Sequence, residues 1–377
     1  MTIATTPKAL AFLDEELARL ESEGLLRRPR LPDAELLVLC SNDYLGFGRE
    51  ALAPMQAPGG AGASALVSGH GPAHVEGERA IASWLGTEAC LLFSSGYAAN
   101  VGTVSSLAGK GDLILSDALN HASIIDGCRL SGATVRVFPH RDLDAVARLL
   151  GELRGAHRRC VLVSESYFSM DGTVADLAGL RALADRFDSV LVVDEAHALG
   201  IYGSGGRGRC ALEGVSADAL IGTLGKSFGL QGAFVAGSSS LRLYLWNRAR
   251  SFVFSTAMSP AIAAMIPARV AAVAGSDALR ARSLGFADRV RQVLVEGGAT
   301  VIGEGPIVAW VVGDARVAVA VQARLRELGL WVAAIRPPTV PPGTARLRIT
   351  ASARLTDSEE ALVLRALAEA ARSIHQP

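Results

Sequence analysis

The sequence predicts an α/β fold: a mostly parallel sheet covered on both faces by helices, followed by a smaller α+β unit. Three observations carry that reading. From Cys90 onward, short apolar runs alternate with segments of helical period, the pattern of parallel strands joined by helical crossovers of right-handed sense. Polar residues able to do chemistry stand just after those runs, where ligands bind in open α/β sheets. After Pro260 the pattern changes to long helices with few strands.

In chain order, Leu10, Leu13, Leu17 and Leu20 recur at helical spacing, so a helix is expected within 9–26, stopped by Gly24 and Pro29. A short strand at 36–40 runs into the turn-rich segment Ser41-Asn-Asp-Tyr-Leu-Gly46. Residues 57–71, rich in glycine, alanine and serine, read as a loop, and 74–85 as a helix. Sheet strands are expected at 90–93, 113–115, 135–138, 160–164, 189–193, 220–223 and 233–237. Helices at 98–107, 122–130, 143–150 and 177–187 separate the first five. Helices at 261–273, 279–296, 315–328 and 357–374, with strands at 308–312 and 347–350, make up the second unit. The expected divisions are 1–48, an N-terminal helix with a contact segment; 49–258, the large α/β domain; and 259–377, the small domain.

Composition excludes several classes of function. Formal net charge is zero, which gives no support for a nucleic-acid or acidic-membrane partner. Five scattered cysteines without paired spacing argue against a disulfide framework or a zinc site and suit a reducing, cytoplasmic setting. Residues 1–8 lack a basic stretch followed by an apolar run, so no secretory signal is expected there. The most membrane-like window, 257–275, carries Pro260, Pro267 and Arg269, which favour a helix pair over a span. Gly225-Lys-Ser227 resembles a phosphate-binding loop, but leucine occupies position 220 where that motif needs glycine.

Of 37 basic residues only three are lysines, Lys8, Lys110 and Lys226. Only Lys226 stands between an apolar strand and a glycine-rich turn. Guanidinium stays protonated, so arginine cannot replace lysine where a neutral amine is required. Lys226 is a candidate Schiff-base nucleophile, or else a solvated turn lysine. At the other strand ends stand Gly96 and Tyr97, His121, Ser169, Asp194 with His197, and Thr223. A pyridine-aldehyde cofactor needs such a set. Lys226 supplies the amine, and Asp194 a carboxylate for the ring nitrogen. His121 is placed to stack on the ring, and His197 to bond its hydroxyl or support Asp194. The helix start at Gly96 and Tyr97, with the Thr223 hydroxyl, offers donors to a phosphate.

Six separated motifs, in order, resemble the α-oxoamine synthases, pyridoxal-phosphate enzymes with the fold type I (aspartate-aminotransferase-like) architecture. They are Ser41-Asn-Asp-Tyr-Leu-Gly46, Ser68-Gly-His-Gly-Pro-Ala-His74, Ser94-Ser-Gly-Tyr-Ala-Ala-Asn100, Phe168-Ser-Met-Asp-Gly172, Asp194-Glu-Ala-His197 and Gly222-Thr-Leu-Gly-Lys226. The resemblance implies that Lys226 is the Schiff-base lysine and Asp194 the ring-nitrogen partner. It also implies that His121 stacks on the ring, that His197 and Ser169 approach its hydroxyl, and that Gly96, Tyr97 and Thr223 hold the phosphate. Arg348 would grip a substrate carboxylate, with Arg27, Asn42 and Thr339 as further substrate contacts. Thr256 would reach the phosphate of a partner subunit, because family sites lie at a homodimer interface. Gly69 to His74 and Ser251-Phe-Val-Phe-Ser-Thr-Ala257 look most like the biotin-pathway branch, which condenses L-alanine with a pimeloyl thioester of coenzyme A or acyl carrier protein. A branch using glycine or serine, or a non-catalytic protein of this fold, would share most of these motifs. Departures from the family pattern are a short 49–62 segment, Gly77, Ala198 and Ser227.

Overall fold

The computed structural model describes residues 8–10, 12–26, 35–50 and 57–375. Its strands are β1 (Leu37–Val38), β2 (Ala89–Phe93), β3 (Leu113–Asp117), β4 (Thr134–Phe138), β5 (Cys160–Glu165), β6 (Val190–Asp194), β7 (Ala219–Thr223), β8 (Ala233–Gly237), β9 (Thr300–Ile302), β10 (Ile307–Gly313), β11 (Leu330–Trp331), β12 (Ala333–Ile335) and β13 (Ala345–Thr350). Strands β2 to β8 form one sheet in the order β2-β8-β7-β6-β5-β3-β4. The pairs β4-β3, β3-β5, β5-β6 and β6-β7 are parallel, while β8 runs antiparallel to both neighbours. That exception has a local cause. A short turn joins β7 to β8, and only antiparallel neighbours can be joined without a long crossover.

The central strands are apolar on both faces. Every residue of β3 and β5 is buried, as parallel strands between two helical layers must be. Chain direction diverges between β3 and β5: β4 is added outside β3, and β5 to β7 on its other side. The crevice beyond the carboxyl ends at that divergence is where an open α/β sheet receives its ligand.

The second sheet, β12-β13-β10-β9, is antiparallel and has its own core around Trp310, Phe286 and Leu347. Strand β1 pairs in parallel with β11, and Leu39 lies in this second core. Helix Pro260–Ala274, expected in the small unit, instead contributes Ala263, Ile266, Val270 and Val273 to the core of the large sheet. Gly77 explains this packing. A Cβ there would meet Ile266 Cδ1 at 3.1 Å and the Ala263 carbonyl oxygen at 3.2 Å, so a larger residue would push the two helices apart. Among the described residues no single helix is long and apolar enough to cross a membrane; Pro260–Ala274 and Asp277–Glu296 pass such a test only as a pair, bent by 67°.

The expected elements otherwise appear in order, but several short ones were not foreseen, among them strands β9, β11 and β12 and helices Gly208–Glu213 and Arg250–Val253. The stretch read as a loop contains a π-helical turn, Ala65–Gly69, capped by the Ser64 hydroxyl. Helix Ser239–Arg248 was not foreseen, because Leu245 is its only buried residue and no apolar stripe marks it. Its sequence signal is the cap: the Ser238 hydroxyl accepts from the Leu241 N–H at 3.1 Å.

Candidate active site

Lys226 occupies a turn locked from two sides. The Leu224 N–H donates to the Gly232 carbonyl at 2.9 Å and the Gly229 N–H to that of Lys226 at 2.9 Å. Gly229 adopts φ +60°, and a Cβ there would meet the Gly48 nitrogen at 2.3 Å, so the turn is clamped by the N-terminal segment. Gly200, at φ +84°, lies so close to Ser227 that any side chain would clash. A lysine held this way keeps its amine aimed at one place, the carboxyl ends of β5 and β6.

Asp194 ends β6 and is 5 % exposed. It accepts from Asn100 Nδ2 at 2.7 Å and from the Ala196 N–H at 2.8 Å. Glu165 ends β5 directly beside it in register and is 3 % exposed. Burial and the neighbouring Asp194 charge push the Glu165 carboxyl up to about 8. Burial brings the Lys226 ammonium down to about 8 and Arg348 adds to the fall, against the opposing pull of Asp194 and Glu165. The Lys226 amine therefore loses its proton more readily than an exposed lysine, which is what an amine serving as nucleophile and base requires.

His121 caps helix Ala122–Ser131: its Nδ1 accepts from the Ser123 N–H at 3.3 Å, with the Ser123 hydroxyl at 2.7 Å. Burial moves His121 below the usual imidazole range. His197 is pushed further down, by burial first and then by the charges of Lys226 and Arg348. Its Nδ1 lies 2.6 Å from the Tyr44 hydroxyl, which burial holds protonated by raising it to about 12. The phenol therefore donates to Nδ1, and Nε2 carries the proton of the neutral ring.

Arg348, on β13, reaches this group from the second unit. It is 4 % exposed and donates from Nε to the Ser169 carbonyl at 2.5 Å, from Nη2 to Asn42 Oδ1 at 2.8 Å and from Nη1 to Thr350 Oγ1 at 3.1 Å. All three acceptors are neutral. A buried guanidinium without a carboxylate among its described partners is a prepared anion site.

Donors for a phosphate collect at the other side. Gly96 and Tyr97 open helix Gly96–Leu107, so their N–H groups have no intrahelical acceptor. A Cβ on Gly96 would lie 3.9 Å from Thr223 Oγ1, which accepts from the Gly225 N–H at 3.2 Å. The Tyr97 side chain turns outward, and its hydroxyl donates to Asp126. Thr256 lies apart, exposed and bridged to Ser64, lining a small cavity with Ser94. Thr339 is exposed, its N–H donating to the Arg336 carbonyl at 3.0 Å. Arg27 falls outside the described residues.

Three neighbours of the lysine were not singled out from sequence. Asn100 carried a signal, since an asparagine one turn into a helix is disfavoured there unless its side chain has a task. Glu165 carried the same signal as Asp194, an acid closing an apolar run. Tyr44 carried none, because 153 residues separate it from His197.

Similarity to known proteins bears on the whole chain. The family described as "Aminotransferase class I and II" matches residues 34–367. The chain belongs to that family. Within it the chain is an α-oxoamine synthase, a pyridoxal-phosphate-dependent enzyme of the acyltransferase type. It is 43 % identical over 361 residues to a putative 8-amino-7-oxononanoate synthase from Bacillus licheniformis, covering 93 % of this chain and 95 % of that one. It is 45 % identical over 371 residues to an 8-amino-7-oxononanoate synthase from Geobacter metallireducens, covering 92 % and 94 %. A solved serine palmitoyltransferase from S. paucimobilis superimposes with a TM-score of 0.88 at 27 % identity over 97 % of this chain and 98 % of that one. The α-oxoamine synthase cofactor suits the residues present: a lysine of lowered pKa, a buried acid fixed by an amide and a backbone N–H, and free helix-start donors beside Thr223.

Proposed function

We propose that this α-oxoamine synthase condenses L-alanine with a pimeloyl thioester, releasing carbon dioxide and the thiol, to form 8-amino-7-oxononanoate in biotin synthesis. The observation that carries the reading is the buried Arg348 guanidinium with only neutral partners, set beside Lys226 and His197. It calls for a substrate with a carboxylate next to the reacting amine, which is an amino acid. The high identity to relatives named 8-amino-7-oxononanoate synthase supports the choice of alanine and pimeloyl groups.

In this reading Lys226 binds the cofactor aldehyde, and Asp194 faces its ring nitrogen with Asn100 holding the carboxylate in place. His121 packs on the ring face, and His197 and Ser169 stand at the ring hydroxyl. Gly96, Tyr97 and Thr223 hold the phosphate through backbone and hydroxyl donors, while Asn42 and Arg348 grip the substrate carboxylate. The bound cofactor supplies an electron sink for a carbanion at the amino-acid Cα. Lys226, released as a neutral amine, takes the Cα proton, and burial together with the Arg348 charge eases its deprotonation against the pull of Asp194 and Glu165. Thr256 and the 73 % exposed Phe254 support an assembly in which a second copy covers this face and Thr256 reaches the partner's phosphate. Arg27 and Thr339 are assigned to the acyl donor, whose carrier is coenzyme A or acyl carrier protein, in the cytoplasm.

Serine palmitoyltransferase likeness in fold makes a serine- or glycine-using synthase the second reading. Competition of alanine, glycine and serine for pimeloyl thioester, scored by mass spectrometry of the products, separates the two. Alanine should win over glycine by roughly 10- to 200-fold in kcat/KM, the range available to one methyl group. Glycine or serine winning overturns the assignment.

A further inference from the structure

Two arginines on β13 face the same way. Arg346 and Arg348 are two residues apart on one strand, so their side chains leave the same face, while Leu347 and Ile349 enter the second core. Both are almost fully buried, at 5 % and 4 % exposure. Their partners differ in kind. Arg346 forms an ion pair with Asp171, and its Nε donates to the Thr344 carbonyl at 2.9 Å. Arg348 has only neutral acceptors, one of them the Ser169 carbonyl two residues before Asp171.

The loop that carries both acceptors is fastened to the second unit. The Gly172 carbonyl accepts from the Glu304 N–H at 2.8 Å, and the Tyr167 hydroxyl donates to the Glu304 carbonyl at 2.5 Å. The same hydroxyl accepts from the Ile307 N–H at 3.1 Å. Gly172, at φ +67°, and Gly303, at φ +84°, leave no room for a side chain: a Cβ on Gly303 would stand 2.0 Å from the Asp171 carbonyl oxygen. Asp171 thus cannot drift along the seam, and neither can the Ser169 carbonyl that fixes Arg348 Nε.

We propose that Asp171 is a positioning residue for the amino-acid substrate: by binding Arg346 it keeps its own carboxylate away from Arg348 and leaves Arg348 free to take the substrate carboxylate. Two adjacent buried cations need one fixed counter-charge to coexist, and an acid shared between them would occupy the substrate's place. Locked on Arg346, Asp171 neutralises the pair while the second charge stays open. The inference rests on the assignment of Arg348 to the substrate carboxylate.

The test uses holoenzyme and reads amino-acid binding apart from turnover. Asp171→Asn and Arg346→Gln each unbalance the pair, the first leaving a spare cation beside Arg348, the second freeing an acid to capture it. Each should raise the Kd of L-alanine, measured by titrating the visible spectrum, by roughly tenfold or more, the scale on which contacting residues couple. Cofactor affinity should not move. The double variant D171N/R346Q, neutral at both positions, should recover most of that loss and also covers a failure of either single variant to fold. Unchanged alanine affinity in both single variants, or losses that simply add in the double variant, would overturn the proposal. Arg348→Lys separates the two layers: unchanged alanine affinity in that variant sinks the carboxylate assignment itself, whereas a weakened R348K with an unaffected D171N sinks only the role of Asp171.

Discussion

The two ends of the same parallel strands hold buried acids of opposite design. At the amino ends, Asp112 is fully buried before β3 and saturated. Arg158 grips both of its oxygens at 3.0 Å, Arg159 approaches at 3.2 Å, and the Gly109 N–H donates at 2.9 Å. Those partners hold its carboxyl down at about 2. At the carboxyl ends, Glu165 has no arginine among its described partners; its carboxylate meets only backbone N–H groups, that of Ser169 at 3.3 Å and that of His121. Its carboxyl rises to about 8. Asp112 fastens the chain, whereas Glu165 stays poised to change charge. Of these two acids, the one neutralised by arginines serves the fold, and the one without them stands beside the reactive lysine.

The largest effect that would break this contrast is at the lysine. Lys226→Ala should cut turnover by at least roughly 10²- to 10⁴-fold, the contribution of a positioned proton-transfer group, with Tm little changed. Asp194→Asn should lower turnover by about 10²- to 10³-fold while cofactor is retained, measured by steady-state kinetics beside cofactor absorbance. Asp112→Ala should do the reverse. Arg158 and Arg159 are largely exposed and turn to solvent, so unfolding free energy falls by about 1–3 kcal/mol in denaturant titration, the scale of the lost charged hydrogen bonds, and turnover per folded molecule stays the same. The sign of the pH effect follows from its depressed value: the stability that Asp112 contributes is present above the ordinary carboxylate pKa of 3.8 and is lost as pH falls through about 2. Asn100→Leu should have the smallest effect. It removes one amide bond from buried Asp194, about 1–3 kcal/mol, and should appear as weaker cofactor binding with the fold intact.

Much of this contrast was legible in the sequence. The inner strands of the large sheet announced themselves as apolar runs, because a strand buried on both faces has little choice of residue; edge strand β4, with Arg136 and Val137 exposed, was marked by its β-branched residues instead. Lys226, Asp194, His121 and His197 were visible because a polar residue directly after such a run is out of place unless it has a task. What stayed hidden depends on contacts across the chain. Tyr44 meets His197 only after β1 has paired with β11. Arg346 meets Asp171 only after β13 has taken its register against β10. The helix Pro260–Ala274 follows a break in composition, yet it packs on the first core because Gly77 admits Ile266. Local pattern does not report which of two cores a helix will join.

The central claim is that the carboxyl ends of the strands present one reactive amine, Lys226. Reduction of the native holoenzyme with borohydride, followed by peptide mapping, should place the cofactor label on Lys226. In apoprotein the modification of the same residue by an amine reagent should rise with pH about a midpoint near 8, well below the ordinary lysine value of 10.5. A label on Lys8 or Lys110, or a Lys226 midpoint at the ordinary value, contradicts the account.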